Sequence, residues 1–560
     1  MNPQVADLAD RFWETNLSVM PTGANLYGDH RFDSEMEDVS LETEDRNILA
    51  LRSLVDEATA FPTDGLDSQD RITLQLLVHE AEGALLDLEG RTAEFLVDPM
   101  LGPHVLLPAY APQASITEPQ HAHDIAERWT KLGTFFDQLA ERHRQGVANG
   151  RTPPAKLVEK SLAQLDRYLA SPLEQDPFTM PMAPQAFSDQ EEAEWRQGLA
   201  DNVASVVRPA LEHYRDVVRD VVAPAARSDE NPGIGFIPGG AELYRKAVAK
   251  YTSLEREPEE IHQIGLDLIA ALEDEYRELG AAALGTSDLD EIYSRLRDDP
   301  ELRYSDSAVV VADAERAVSD AEAAAPEWFG VLPRQQCVVK AIPELEAKEA
   351  PLAYYMPPAG DGSRPGAFYI NSAEPGNVTR YESEALAFHE GVPGHHFQIA
   401  IAQEIEGLPE FRKFGLLHAY VEGWGLYTER LADEMGLYSN DLARMGMLSF
   451  DSWRAGRLVV DTGMHAMGWS RQQAIDYLAA HSPQQPTNIE NEVDRYIGYF
   501  GQALSYMAGR LEIDRLRADA EQRLGDSFDI KAFHDVVLGS GPLTLPVLGR
   551  LVDDWVTHQR

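Results

Sequence analysis

The chain has 560 residues, 94 acidic and 48 basic, for a formal charge of −46. That balance argues against nucleic acid or an anionic membrane as partner, because both attract positive surfaces. A single cysteine, Cys337, rules out an intramolecular disulfide and a cysteine-rich metal site, and reads as a packed thiol.

The amino terminus, MNPQVADLADRFWETNL, is acidic and amphipathic, without the basic start and apolar run of a signal peptide. No stretch of about 18 apolar residues occurs anywhere, so the expectation is a cytoplasmic protein that spans no membrane. Three-to-four periodicity predicts helices over 153–171, 189–221, 241–285 and 308–325. Clusters of Pro and Gly near 99–118, 171–186, 222–240, 356–376 and 482–487 predict loops. The glycine-rich stretch NPGIGFIPGGAELY (231–244) is expected to be mobile. Short β-branched and aromatic runs at 337–342, 352–356 and 367–371, broken by turn residues such as DGSRPG, predict one small antiparallel sheet within 337–371.

A helix is predicted to start at Thr379, with Glu382 completing a capping box, and to carry His389 and Glu390 into the segment HEGVPGHHFQ. In an HExxH helix the two histidines lie four apart on one face and hold zinc while the glutamate activates water. Here Pro393 stands at the fourth position, and the next histidines are His395 and His396. Proline must kink or bulge the helix. Unbroken, the helix would set His396 about 10 Å beyond His389, so His395 is the better second ligand and His396 the alternative. A catalytic zinc takes a third protein ligand. Glu422, on the next helix between Pro409 and Gly436, suits that place. Gly423 and Gly425 would let a backbone or a substrate come close, and Glu429, seven residues on, would orient a histidine.

The segment DSWRAGRLVVDTGMHAMGW reads as an amphipathic helix, with Asp451, Arg454, Asp461 and His465 on a solvated face. A further helix is predicted to start at Thr487, capped with Glu490. It brings Arg495, Tyr499, Gln502 and Tyr506 to one face, with Tyr496 adjacent. Grouped phenols need hydrogen-bond partners when buried, which marks them as candidates for a site.

In order, HEGVPGHHFQ, YVEGWGLYTERLA, RAGRLVVDTGMH and EVDRYIGYFGQALSY resemble the bacterial family called domain of unknown function 885, across roughly residues 380–545. That family is similar to the helical zincins, among them the carboxypeptidase Taq family and angiotensin-converting enzyme. The resemblance implies a mainly α, bilobed fold over 1–560 with a deep cleft. A helical part would occupy 1–335 and a metal-site part 336–560, with metal helices in 379–436 and supporting helices in 441–525. It further implies that Glu422 is the third zinc ligand, and that Arg457 and His465 bind a substrate carboxylate or an oxyanion. A tyrosine, Tyr499 with Tyr496 beside it or else Tyr506, would reach the transition state, with Arg495 nearby. The expected activity is zinc-dependent cleavage of amide bonds in short peptides, with Glu390 as general base and another divalent ion as the alternative metal. The rival expectations are a small-molecule amide or ester hydrolase with the same centre, and a non-catalytic helical binding protein whose metal site has decayed.

Overall fold

The computed structural model describes residues 1–343, 351–358 and 364–559. Among them the chain is mainly α-helical, with one small sheet. The helices expected over 153–171 and 308–325 run Ala155–Ala170 and Ser307–Ala324. The rod expected over 189–221 is continuous from Asp189 to Val222, with two π turns at Val203–Val207 and Val218–Val222. The segment 241–285 divides instead into Gly240–Thr252 and Pro258–Ala283. Ser253, at φ 53°, ends the first helix in the left-handed region, and Pro258 opens the second from the position where its missing N–H costs nothing. Likewise Pro103 starts a helix, Pro103–Tyr110, inside the predicted loop 99–118.

Sequence-distant helices share one core. Leu8 and Leu77 pack in the same apolar cluster as Phe388, Trp424 and Val552. A separate cluster forms within residues 97–222, around Trp129, Phe136 and Tyr214. No described helix is long and apolar enough to cross a membrane.

The sheet is mixed, not antiparallel as expected. Strand β1 (Cys337–Ala341) pairs in parallel with β3 (Gly366–Ile370), and β2 (Ala353–Met356) pairs antiparallel on the other side of β3. Burial decides the order: Ala367, Phe368 and Ile370 of β3 are inaccessible, and a strand so enclosed takes the centre. All four residues of β2 are half-buried, as befits an edge. Asp361, Gly362 and Ser363 of the DGSRPG turn lie outside the described residues. Cys337 is packed, and burial pushes its thiol up to about 12.

The helix Asp441–Ala466 lies against Pro258–Ala283, where Gly265 permits the approach: a Cβ there would stand 2.7 Å from Val459. The solvated face expected on this helix is absent. From Met445 to His465 every residue but Trp453 is buried. Its buried acids find their partners on neighbouring elements. Asp451 pairs with Arg430 and Arg510, and Asp461 accepts from the Tyr244 hydroxyl at 2.6 Å.

Candidate metal centre

His389 sits near the end of a short helix, Ser383–Glu390. The predicted start at Thr379 is four residues early, and the capping box does not form. Glu382 instead accepts from Thr379, from Ser449 at 2.6 Å and from Gln484 at 3.1 Å, which pins this helix to the one beginning at Asp441. After Glu390 the helix does not bulge; it stops. Residues 391–394 form a turn containing a cis Val392–Pro393 bond, held by the Trp424 indole donating to the Pro393 carbonyl at 3.0 Å. Gly394 is required in this turn, since a Cβ would collide with the His389 carbonyl. A new helix, His395–Glu404, then begins.

This break returns His395 to His389. Their rings stand 4.8 Å apart at 83°. His389 Nε2 and His395 Nε2 lie 3.7 and 3.6 Å from the Glu422 carboxylate, and one ligand atom from each residue falls within 4.8 Å of the others. His396 turns away. Its Nε2 donates to the Gln335 carbonyl at 2.9 Å, so its Nδ1 accepts from the Tyr355 hydroxyl at 2.8 Å. Burial pushes it down to about 4. It ties β2 to the turn and is not in the ligand group.

His389 Nδ1 bonds Glu429 Oε1 at 2.8 Å, with Glu429 fully enclosed, as the spacing on the Glu422 helix predicted. Burial works against charge on His389, but Glu422, Glu429 and Glu390 outweigh it and raise the imidazole to about 9. Burial likewise works against the Glu422 carboxylate, and His389 and His395 hold it well below its ordinary range. Such a pocket favours positive charge. Gly425 gives the His389 ring its space, and Gly423 lets the Glu422 helix cross Gly509 at backbone contact.

The residues fit a metal ion. Two ligands on a tetrahedral zinc with bonds of 2.0–2.1 Å stand roughly 3.4 Å apart, close to the two His–Glu separations here. Two imidazoles and a carboxylate are a donor set of hydrolytic zinc sites, and the carboxylate behind His389 fixes which nitrogen faces the ion.

Beside this group lies a cleft of about 620 Å³. Glu390, Tyr506, Arg457 and Arg495 all line it, and the edge of the sheet reaches it at Ala353. Burial, and after it the Glu422 charge, raises the Tyr506 phenol. Tyr496 lies beneath the cleft wall, enclosed. Its hydroxyl accepts from Arg457 and Trp453 and donates to Glu492 at 2.8 Å. Burial opposes the charge of Glu492, yet Arg495 and Arg457 pull it down to about 2.

Two expected site residues stand elsewhere. Tyr499 packs edge-on against Tyr251 and His418 and lines a different cavity, of about 420 Å³. His465 is fully used in the fold: Nδ1 accepts from the Ile234 N–H at 2.9 Å and Nε2 donates to the Tyr496 carbonyl at 3.1 Å. Burial pushes it down to about 3, so it stays neutral. Through the Ile234 N–H it also anchors the glycine-rich stretch expected to be mobile, and Gly233 packs against the neighbouring Met464 carbonyl. Conversely, Arg454, assigned from sequence to a solvated face, lines the cleft and is 6% exposed. The available signal was its position one turn before Arg457.

The fold recurs in solved structures. A putative lipoprotein from Colwellia psychrerythraea matches with a TM-score of 0.91 and 28% identity, covering 99% of each chain. A putative lipoprotein of unknown function from Shewanella oneidensis matches with a TM-score of 0.79 over 98% of this chain and 99% of that one, and at 18% identity shows the fold alone. No curated protein gives a significant match. The model of the bacterial family of unknown function DUF885 matches residues 21–552, and the chain belongs to that family.

Proposed function

We propose that this protein is a zinc-dependent hydrolase that cleaves amide bonds in short peptides. The observation that carries the reading is the convergence of His389, His395 and Glu422 within 4.8 Å, next to a cleft lined by Glu390. Zinc in such a site supplies a Lewis acid and lowers the pKa of water toward neutrality. The residues of the chain account for the rest. Glu390 takes the proton of the attacking water and returns it to the leaving amine. Glu429 holds the His389 ring with Nε2 turned toward Glu422. Tyr506 and Arg457 offer donors to a developing oxyanion, an effect commonly worth several kcal/mol. Tyr496 and Glu492 position Arg457.

The test is turnover of a peptide panel beside acylated amino acids and esters. Glu390→Gln is expected to keep its metal and lose roughly 10²–10⁴-fold in kcat. Normal turnover in that variant refutes the role of Glu390, and cleavage of the small acyl compounds alone moves the reading to a small-molecule hydrolase. The solved relative at 28% identity is named a putative lipoprotein, which favours an envelope-anchored enzyme over a cytoplasmic one; cell fractionation separates the two.

A further inference from the structure

Arg454 has an unusual electrostatic position. Among the described residues its guanidinium makes no hydrogen bond and no ion pair, and its Nε and Nη1 are buried without a partner. Aromatic faces hold it, Phe450 at 4.4 Å, Trp453 at 4.9 Å and Tyr506 at 5.8 Å, and the buried Glu429 attracts it without a direct contact. A desolvated guanidinium in the interior normally has a carboxylate. Three carboxylates line this cleft, and none pairs with Arg454: Glu390 lies against His389 and makes no ion pair with an arginine, and the other two are engaged. Glu492 is taken by Arg457 and Arg495, and Glu382 by Thr379, Ser449 and Gln484. One turn along the same helix, Arg457 also keeps a buried Nη1 without a partner. Arginines outnumber carboxylates around this cleft, in a chain whose acids outnumber its bases about two to one. The local sign is therefore opposite to that of the molecule. Rings that stack on a guanidinium leave its in-plane N–H groups free to donate, and a planar fork of N–H donors matches a carboxylate.

We propose that Arg454, assisted by Arg457, binds a carboxylate of the peptide substrate, so that this protein selects peptides carrying a free carboxylate beside the bond it cleaves. The proposal rests on the peptidase reading of the same cleft. The carboxylate comes either from the peptide's C-terminus or from an acidic side chain. Binding it supplies the missing partner of a buried cation, so recognition discriminates strongly against a neutral analogue, which would leave that cation desolvated and unpaired.

The experiment is calorimetric binding to the zinc-loaded, full-length Glu390→Gln protein, in which the peptide is not consumed. The probes are tetra-alanine with a free C-terminus, its C-terminal amide, and an amide of the same length with one glutamate. The free acid is expected to bind roughly ten- to a hundredfold tighter than the plain amide, and adding Arg454→Gln is expected to remove most of that difference. A glutamate-containing amide that binds like the free acid also supports the proposal and assigns the carboxylate to a side chain. Equal binding of acid and plain amide overturns it, as does failure of the free acid to bind at millimolar concentration. These outcomes are read in protein with an intact Arg454, so misfolding of the Arg454 variant does not obscure them. Acid-selective binding without hydrolysis of any peptide by the unsubstituted protein would overturn the hydrolase reading and leave carboxylate recognition standing.

Discussion

Gly425→Ala tests how the ligand group is held. A Cβ at this position would stand 2.8 Å from His389 Cε1, 2.9 Å from Nε2 and 3.1 Å from Nδ1. Ordinary contact begins near 3.4 Å, so the ring must retreat by roughly 0.5 Å, and Glu429 holds its far side at 2.8 Å. Metal–ligand distances tolerate only about 0.2 Å, so zinc affinity is expected to fall at least as far as when an orienting partner is lost, about 10- to 100-fold. Helix propensity acts the other way, since alanine is favoured over glycine by about 1 kcal/mol in a helix interior. The metal-free variant is thus expected to stay within about 2 kcal/mol of the parent, the gain offsetting a packing strain of about 1–3 kcal/mol. The assay is zinc competition against a chelator alongside urea unfolding of the metal-free protein. Gly423→Ala is the control: its Cβ meets Gly509 backbone at 2.5 Å, so it should lower stability more than it lowers zinc per folded chain. Parental zinc affinity in Gly425→Ala would refute the account of His389 as a tightly confined ligand.

The two adjacent histidines should separate cleanly. His395→Ala is expected to lose zinc, whereas His396→Ala should keep it and lose about 1–3 kcal/mol of stability, because the Tyr355 hydroxyl and Gln335 carbonyl are left without their partner; metal analysis and urea unfolding of both variants read this out, and the reverse pattern refutes the ligand assignment. Stability should also fall in mild acid. His104, His143, His396, His465 and His534, all buried, and the half-buried His418 are pushed down by desolvation to between about 3 and about 4, so as pH drops below about 6.5 the unfolded chain takes up protons that the folded chain refuses. Each titrating histidine then removes about 1.4 kcal/mol per pH unit. Asp461 and Glu80, raised to about 7 by burial, act in the opposite sense, as do Glu44, Glu82, Asp98, Glu322, Glu429 and Asp514, which burial raises less far. Urea midpoints measured from pH 7 to 4 should decline, and a flat or rising profile contradicts this balance.

Periodicity was enough to read the helices because most carry a simple apolar stripe, and the HE and HH pairs were enough to find the ligand helix. The division at Ser253 was not legible, because a serine carries no mark of positive φ. The choice between His395 and His396 turned on a helix that stops where a kink was expected, and that depends on the Trp424 contact to Pro393, 31 positions away in the chain. Arg454 and Glu492 were obscured for a different reason. A salt-bridged surface and a buried ionic network use the same residues at the same spacing, and only packing from other helices distinguishes them. The same ambiguity placed His465 near the chemistry when its two nitrogens serve the loop at Ile234 and the carbonyl of Tyr496.

The central claim is that His389, His395 and Glu422 hold a metal ion, and elemental analysis of the purified protein tests it most directly, beside His389→Ala and Glu422→Ala. About one zinc per parent chain, lost in both variants while they remain folded, is the predicted result. A parent chain that holds no metal after zinc is added back, or variants that retain it, would contradict the account.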